Sequence, residues 1–143
     1  RQKQSGMPGT ARGAGRVGSQ AYRNLAAKGG EGVVGPEPGL TGGQKPGGQA
    51  CKAAYKDRYK THIELHAPFA YDATRVLIDA IEQANSTDPA RYLPKLHAIR
   101  YQGVTGEIAF DAQGNLQNPS FTVYKVVNGQ WQPQTVLGGT AKK

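Results

Sequence analysis

Three histidines and a single cysteine are the side chains of this 143-residue chain best suited to chemistry. His62 and His66 are four residues apart, a spacing that on a helix would put two imidazoles on one face and could seat a transition metal. Here the pair lies in "THIELH", directly ahead of Pro68. That segment alternates like a strand, which separates the rings, and His97 is remote in sequence. Cys51 alone permits no internal disulfide, no two-cysteine metal site and no redox pair, so it reads as a small apolar core group. "GAGRVG" (13–18) fits G-x-G-x-x-G letter by letter. A dinucleotide site also needs a buried strand before it, a helix after it and an acid about 20 residues on. The preceding "SGMPGTAR" cannot be such a strand, and Glu31 and Glu37 are only loosely placed. "DAQGN" (111–115) has Asp111 and Asn115 but lacks the alternating carboxylates and closing Glu of a calcium loop, and reads as a turn. No G-x-S-x-G elbow, H-E-x-x-H helix or pair of acids in an apolar run is present, so the expectation is no enzyme, no metal and no cofactor.

What remains is "IELHAPFAY" (63–71), read as strand, then His66, then helix. Open α/β sheets bind ligands where a strand ends and a helix begins. His66 is therefore the candidate ligand-binding residue, while Phe69 and Tyr71 read as core.

The elements that position these residues follow from periodicity. Phe69, Ala73, Val76, Leu77, Ala80, Ile81 and Ala84 recur at helical spacing, with Pro68 in the first turn where its missing N–H costs nothing. This predicts a long helix packed on a sheet. "NSTD" breaks it, and Asp88 caps a helix over about 89–98 that Pro94 should bend or split. Upstream, a helix is expected at 49–60, with Ala50, Cys51, Ala54, Tyr55 and Arg58 on its inner face. A short buried strand is expected in "EGVVG" (31–35). "GPEPGLTGGQKPGG" (35–48) reads as a long loop without regular pairing. Downstream, "GEIAF" (106–110) is a strand and "FTVYKVV" (121–127) alternates faces. Asn128-Gly129 signals a type I′ hairpin, and the returning "QWQPQTVL" has an edge proline, Pro133. A short helix is expected at 20–28.

Charge and composition narrow the classes further. Gly and Pro number 20 and 9, and hydrophobic residues are 37% of the chain, so the core is smaller than the length implies. Six of the basic residues and none of the acids fall in residues 1–30, giving a basic, Gly/Arg-rich arm over 1–20 that reads as disordered. Such an arm can bind phosphate without sequence preference, but no aromatics are interleaved as stacking platforms, so no specific nucleic acid is expected. No run approaches the roughly 18 apolar residues of a membrane span. A first residue of Arg1, without a signal-peptide pattern, reads as a processed or truncated chain.

"APFAYDATRVLIDAIEQANSTDPARYLPKL", "YQGVTGEIAFDAQGNL" and "FTVYKVVNGQW" together resemble the carboxyl-terminal region of the periplasmic leucine/isoleucine/valine-binding proteins. These are the substrate-binding receptors of branched-chain amino acid ABC transporters. "EGVVGPEPGL" and "PGGQACKAAYKDRY" resemble the segment just upstream. The resemblance runs from about Tyr22 to Val136 and leaves residues 1–20 outside. It implies an α/β chain, part of a type I periplasmic-binding-protein fold of two lobes joined by a three-strand hinge. It implies a lobe segment at 21–100 containing Tyr22–Asn85, and a hinge crossing and β hairpin at 101–137 with the crossing near Tyr101–Gly106; the residues beyond, "GGTAKK" (138–143), read as a frayed tail.

The function so implied is non-catalytic binding of a branched-chain or related small amino acid in the periplasm, with an ABC permease as membrane partner. The family places an aromatic where His66 stands, packing on the ligand side chain, and the acid that grips the ammonium would lie in "GTARGAGRVGSQ", which has none. The alternative is an orphan α/β fragment that self-associates, as a homodimer through its exposed lobe surface, without binding a ligand.

Overall fold

The computed structural model describes residues 31–139. The basic arm, the G-x-G-x-x-G match, the helix expected at 20–28 and the last four residues of the tail lie outside the described residues. In chain order the elements are β1 (Val34–Pro38), α1 (Gly48–Tyr59), α2 (Ala67–Ala84), α3 (Pro89–Ala98), β2 (Arg100–Gln102), β3 (Glu107–Ala109), β4 (Ser120–Val127) and β5 (Gln130–Gly138). They form two compact units, which divide at 41/42 and 118/119.

The unit made of 31–41 and 119–139 is an antiparallel sheet in the order β1-β4-β5. The alternation in β4 resolves into a buried face carrying Thr122 and Val126, with Val33 also buried in this unit. The Thr122 hydroxyl donates to the Gly39 carbonyl at 2.8 Å, so the buried polar group is satisfied. Asn128 and Gly129 have φ of 53° and 71°, as a type I′ turn requires. The Glu31 carboxylate accepts from both turn amides, each at 3.1 Å. Pro133 lies on β5, an edge strand, opposite Tyr124 and beside a register shift between Val123 and Tyr124.

The expectation that 35–48 holds no ladder is corrected at its start. Gly35, Pro36, Glu37 and Pro38 pair with Tyr124, Val123, Thr122 and Phe121. β1 is the opposite edge, and Gly39 donates to the Ser120 carbonyl at 2.7 Å. Odd-numbered residues thus turn their N–H toward β4. Pro36 and Pro38 turn their donorless nitrogens to the open side, where an edge strand tolerates them.

The unit 42–118 holds the three helices and the β2–β3 hairpin. α2 opens with Pro68 in its first turn and closes on Asn85 in the left-handed region. Asp88 caps α3 by accepting from the Ala90 amide at 3.0 Å, and α3 runs unbroken through Pro94, which removes only one intrahelical donor. Val76 and Ala80 of α2 bury against Ile99, with Leu96, Tyr101, Ile108 and Phe110 packed around them. Burying a side chain of this size is worth about 2 kcal/mol.

α2 thus packs on α3 and a two-stranded hairpin rather than along its whole apolar stripe. Leu77, expected in the core, is 40% exposed, and Tyr71 is 53% exposed. α1 matches its expected span but buries no residue fully; Cys51 and Tyr55 are half-buried, and Ala50, Ala54 and Arg58 are exposed.

The division into units also differs from the expected boundary at 100/101. Ile99 is the C-cap of α3 and Arg100 begins β2, both inside one unit. Tyr101–Gly106 is a closed hairpin turn, with Gly103 N–H bonded to the Gly106 carbonyl at 2.9 Å, not a crossing. The chain passes between units at 41/42 and 118/119, in stretches whose glycines, prolines and polar residues carry no periodicity to announce them.

Candidate functional site

His66 stands one residue ahead of α2. The strand expected before it does not form: residues 62–64 have no regular structure, and no strand pairs with them among the described residues. Glu64 instead accepts from the Ala67 amide at 3.2 Å, closing a turn that leads into the helix. His66 is the N-cap residue, exposed, with helical backbone angles and no side-chain capping bond. Its imidazole is therefore presented to solvent at the mouth of α2, but not from the end of a strand.

One turn further, the ring of Phe69 lies under the Lys45 ammonium, 4.5 Å from centroid to Nζ. Lys45 is only 8% exposed. A cation held over an aromatic face away from water is worth about 1–2 kcal/mol. Sequence reading assigned Lys45 to a featureless loop, "GGQKPGG", and nothing in that composition signals burial.

The second residue missed is Asp72, 2% exposed on the buried face of α2. Its Oδ1 accepts from the Val104 amide at 2.9 Å. Its Oδ2 accepts from the Thr105 amide at 2.7 Å and from the Thr105 hydroxyl at 2.5 Å. A buried carboxylate is tolerated when donors replace the water it loses, and here three converge on it. The turn approaches so closely that a Cβ on Gly103 would stand 2.5 Å from Asp72 Oδ2. The signal was available: residues 72, 76 and 80 share one helical row, so an acid sat in line with Val76 and Ala80.

Beside this, the Arg75 guanidinium donates to the Tyr101 hydroxyl, an interaction that raises the pKa of Arg75. Helix α2 therefore fixes the 101–106 hairpin from one side while presenting His66, and then Tyr71, to solvent.

The remaining sequence candidates do not gather. No group of three His, Cys, Asp or Glu residues suited to a metal occurs among the described residues. His62 is exposed, and His97 lies in the last turn of α3. Asp111 turns its carboxylate onto its own loop, accepting from the Gln113 and Asn115 amides at 2.9 and 2.8 Å, and is a turn residue. What the start of α2 offers is contact chemistry: an exposed imidazole, aromatic faces and a sequestered cation. Among the described residues no helix is long and apolar enough to cross a membrane.

Comparison with known proteins supplies the frame for these groups. A curated Pseudomonas aeruginosa protein, named as a leucine-, isoleucine-, valine-, threonine- and alanine-binding protein, is 30% identical over 123 residues, 86% of this chain. This chain spans 33% of that protein's length. A leucine-binding protein from Thermotoga maritima superposes with a TM-score of 0.81 over 94% of this chain and 39% of its own, at 24% identity. A solute-binding protein of an ABC transporter from R. palustris, solved with benzoate, superposes with a TM-score of 0.72 over 96% of this chain and 38% of its own, at 15% identity. The shared architecture is the α/β arrangement of type I periplasmic binding proteins.

The family's sequence model matches residues 3–130, so residues 3–20 fall inside the family's span rather than outside it as expected; a Gly-rich arm has few side chains by which a resemblance can be seen. With nearly nine-tenths of its length matched to that model, the chain belongs to the periplasmic binding protein family.

Proposed function

We propose that this chain is part of the substrate-binding protein of a branched-chain amino acid ABC uptake system, acting in the periplasm without catalysis. The complete receptor binds a small amino acid between two lobes, and an ABC permease in the membrane recognises the closed form. The observation that carries this reading is the 30% identity, over most of the chain, to a protein named for binding leucine, isoleucine, valine, threonine and alanine. The two lobes are read as meeting the chain at its passages between units, 41/42 and 118/119, in place of Tyr101–Gly106. His66 is read as the residue of this segment that touches the ligand. Its support is an exposed imidazole at the start of α2, able to pack on an aliphatic side chain as an aromatic ring would.

Isothermal titration tests both statements on a complete receptor that contains this segment, with leucine, isoleucine, valine, phenylalanine and benzoate as ligands. A branched-chain amino acid should give saturable heat, and His66→Ala should weaken it about three- to tenfold, as loss of one ring contact of about 1 kcal/mol implies. Heat from benzoate alone would replace the ligand class. Unchanged affinity in His66→Ala would remove His66 from the site.

A further inference from the structure

Residues 31–139 carry ten basic and ten acidic residues, so this part of the chain is neutral overall. Four of the ten basic residues, Lys52, Lys56, Arg58 and Lys60, nevertheless fall on α1 and its C-cap, with Asp57 as the one acid among them. Lys52, Lys56 and Lys60 follow at intervals of four and so lie along one side of the helix. Tyr59, three residues after Lys56 and seven after Lys52, shares that side. It is 62% exposed, and its ring leans on that of Tyr55, 4.7 Å away between centroids. Cys51 and Tyr55, the half-buried side chains of α1, lie on another side, so the lysines face away from what the helix packs on. Asp57 holds the Lys60 Nζ at 3.1 Å, but among the described residues Lys52, Lys56 and Arg58 have no acidic partner. Lysines are almost never buried unpaired, so this is not a side that the remainder of a fold covers.

We propose that this side of α1 rests on a membrane surface containing anionic phospholipid, with the lysine ammonium groups at the phosphates and the Tyr59 ring among the headgroups. Charge complementarity selects this partner. Each lysine close to an anionic bilayer adds attraction, which fades within a Debye length of about 10 Å at 0.1 M salt. A tyrosine ring, apolar with a polar tip, favours the same headgroup layer. Lysine is a point charge on a flexible stem, suited to a laterally mobile array of phosphates. The fixed, planar carboxylates of an acidic protein are the better match for arginine's fork. The contact needs no amino acid ligand, so it stands or falls separately from the ligand reading.

The test sediments the 143-residue chain with vesicles of phosphatidylcholine containing about one-third phosphatidylglycerol, and with vesicles of phosphatidylcholine alone. The expected result is binding to the anionic vesicles only, falling as salt is raised past physiological strength. The double variant Lys52→Glu/Lys56→Glu should weaken it at least tenfold, since each lysine near the surface is worth about fivefold. Lys95→Glu/Lys125→Glu changes the net charge equally at exposed positions off α1 and should weaken it less than about threefold. Circular dichroism should be unchanged in both pairs, because all four lysines are exposed. Tyr59→Ala, which leaves the charge alone, should still weaken binding; indifference to it overturns the placement of the ring. No binding to the anionic vesicles overturns the proposal. Equal weakening by the two pairs also overturns it, assigning binding to net charge, and so does indifference to the α1 pair, assigning it to the basic residues of 1–30. Capture by immobilised polyglutamate that depends on Lys52 and Lys56, without vesicle binding, overturns it in favour of an acidic protein partner.

Discussion

The β4–β5 hairpin and the β2–β3 hairpin are both antiparallel pairs, yet they are held by different means. β4 and β5 pair over eight positions around a type I′ turn whose two central residues supply the backbone twist themselves. β2 and β3 pair over only three positions. Their turn, Gly103–Gly106, is gripped by Asp72 of α2, 32 residues before Val104 and 33 before Thr105. The first hairpin is specified by its neighbours in sequence; the second depends on one buried charge far from it. Short pairing thus persists where a tertiary contact substitutes for ladder length.

That contrast predicts unequal costs. Asp72→Ala leaves the Val104 and Thr105 amides without their acceptor and opens a void beside Gly103. The expected loss is about 3 kcal/mol, since hydrogen bonds to a charged group are worth about 1.5–3 kcal/mol. Urea unfolding measures the total, and amide exchange should quicken first at Val104 and Thr105. A loss under about 1 kcal/mol with unchanged exchange would mean that the short hairpin holds itself, and the contrast would fall. Gly103→Ala is the reciprocal probe, because its Cβ would strike the same carboxylate. In the Asp72→Ala background the alanine should be nearly harmless, a coupling that a double-mutant cycle reads directly.

Legibility in the sequence divides along the same line. Asn128-Gly129, the alternation of Thr122, Tyr124 and Val126, the Asp88 cap and the Asn85 stop are local signals, and each forms as read. The pairing of Pro36 and Pro38, the burial of Lys45 and the grip of Asp72 on Thr105 depend on residues far away in sequence, and periodicity carries no information about partners. The helical stripe of α2 was legible in full, but which part of it the described chain covers was not. The breadth of the pattern reports what the helix needs, whereas exposure reports what is at hand. At the candidate site, His66 was legible as the residue before a helix, while the strand assumed ahead of it was not formed, because alternation alone does not supply a ladder partner.

A change at the β4–β5 turn should cost less than at Asp72. Gly129 has φ of 71°, a region where a Cβ crowds the following carbonyl, so Gly129→Ala is expected to cost about 1 kcal/mol. Urea unfolding reads it, and exchange should quicken only near the turn. A cost equal to that of Asp72→Ala would erase the distinction between a locally and a remotely specified hairpin.

The smallest effect belongs to Asp111, whose carboxylate sits in a local turn like Gly129 but acts through charge. Hydrogen bonds from the Asn115 side chain and backbone amide hold its pKa below the usual 3.8. The folded chain therefore binds this proton less readily than the unfolded chain does. The turn's contribution is complete above pH 3.8 and is lost as pH falls below that value through the folded pKa. Asp111→Asn removes the titration, so the stability gap between wild type and variant should be constant near neutrality and shrink only in acid. The site is open to solvent, and the gap at neutrality should be far smaller than that of Asp72→Ala. Thermal unfolding of both proteins across the acid range decides it: a gap that widens as the pH drops would show that the loop carboxylate is not stabilised in its charged form.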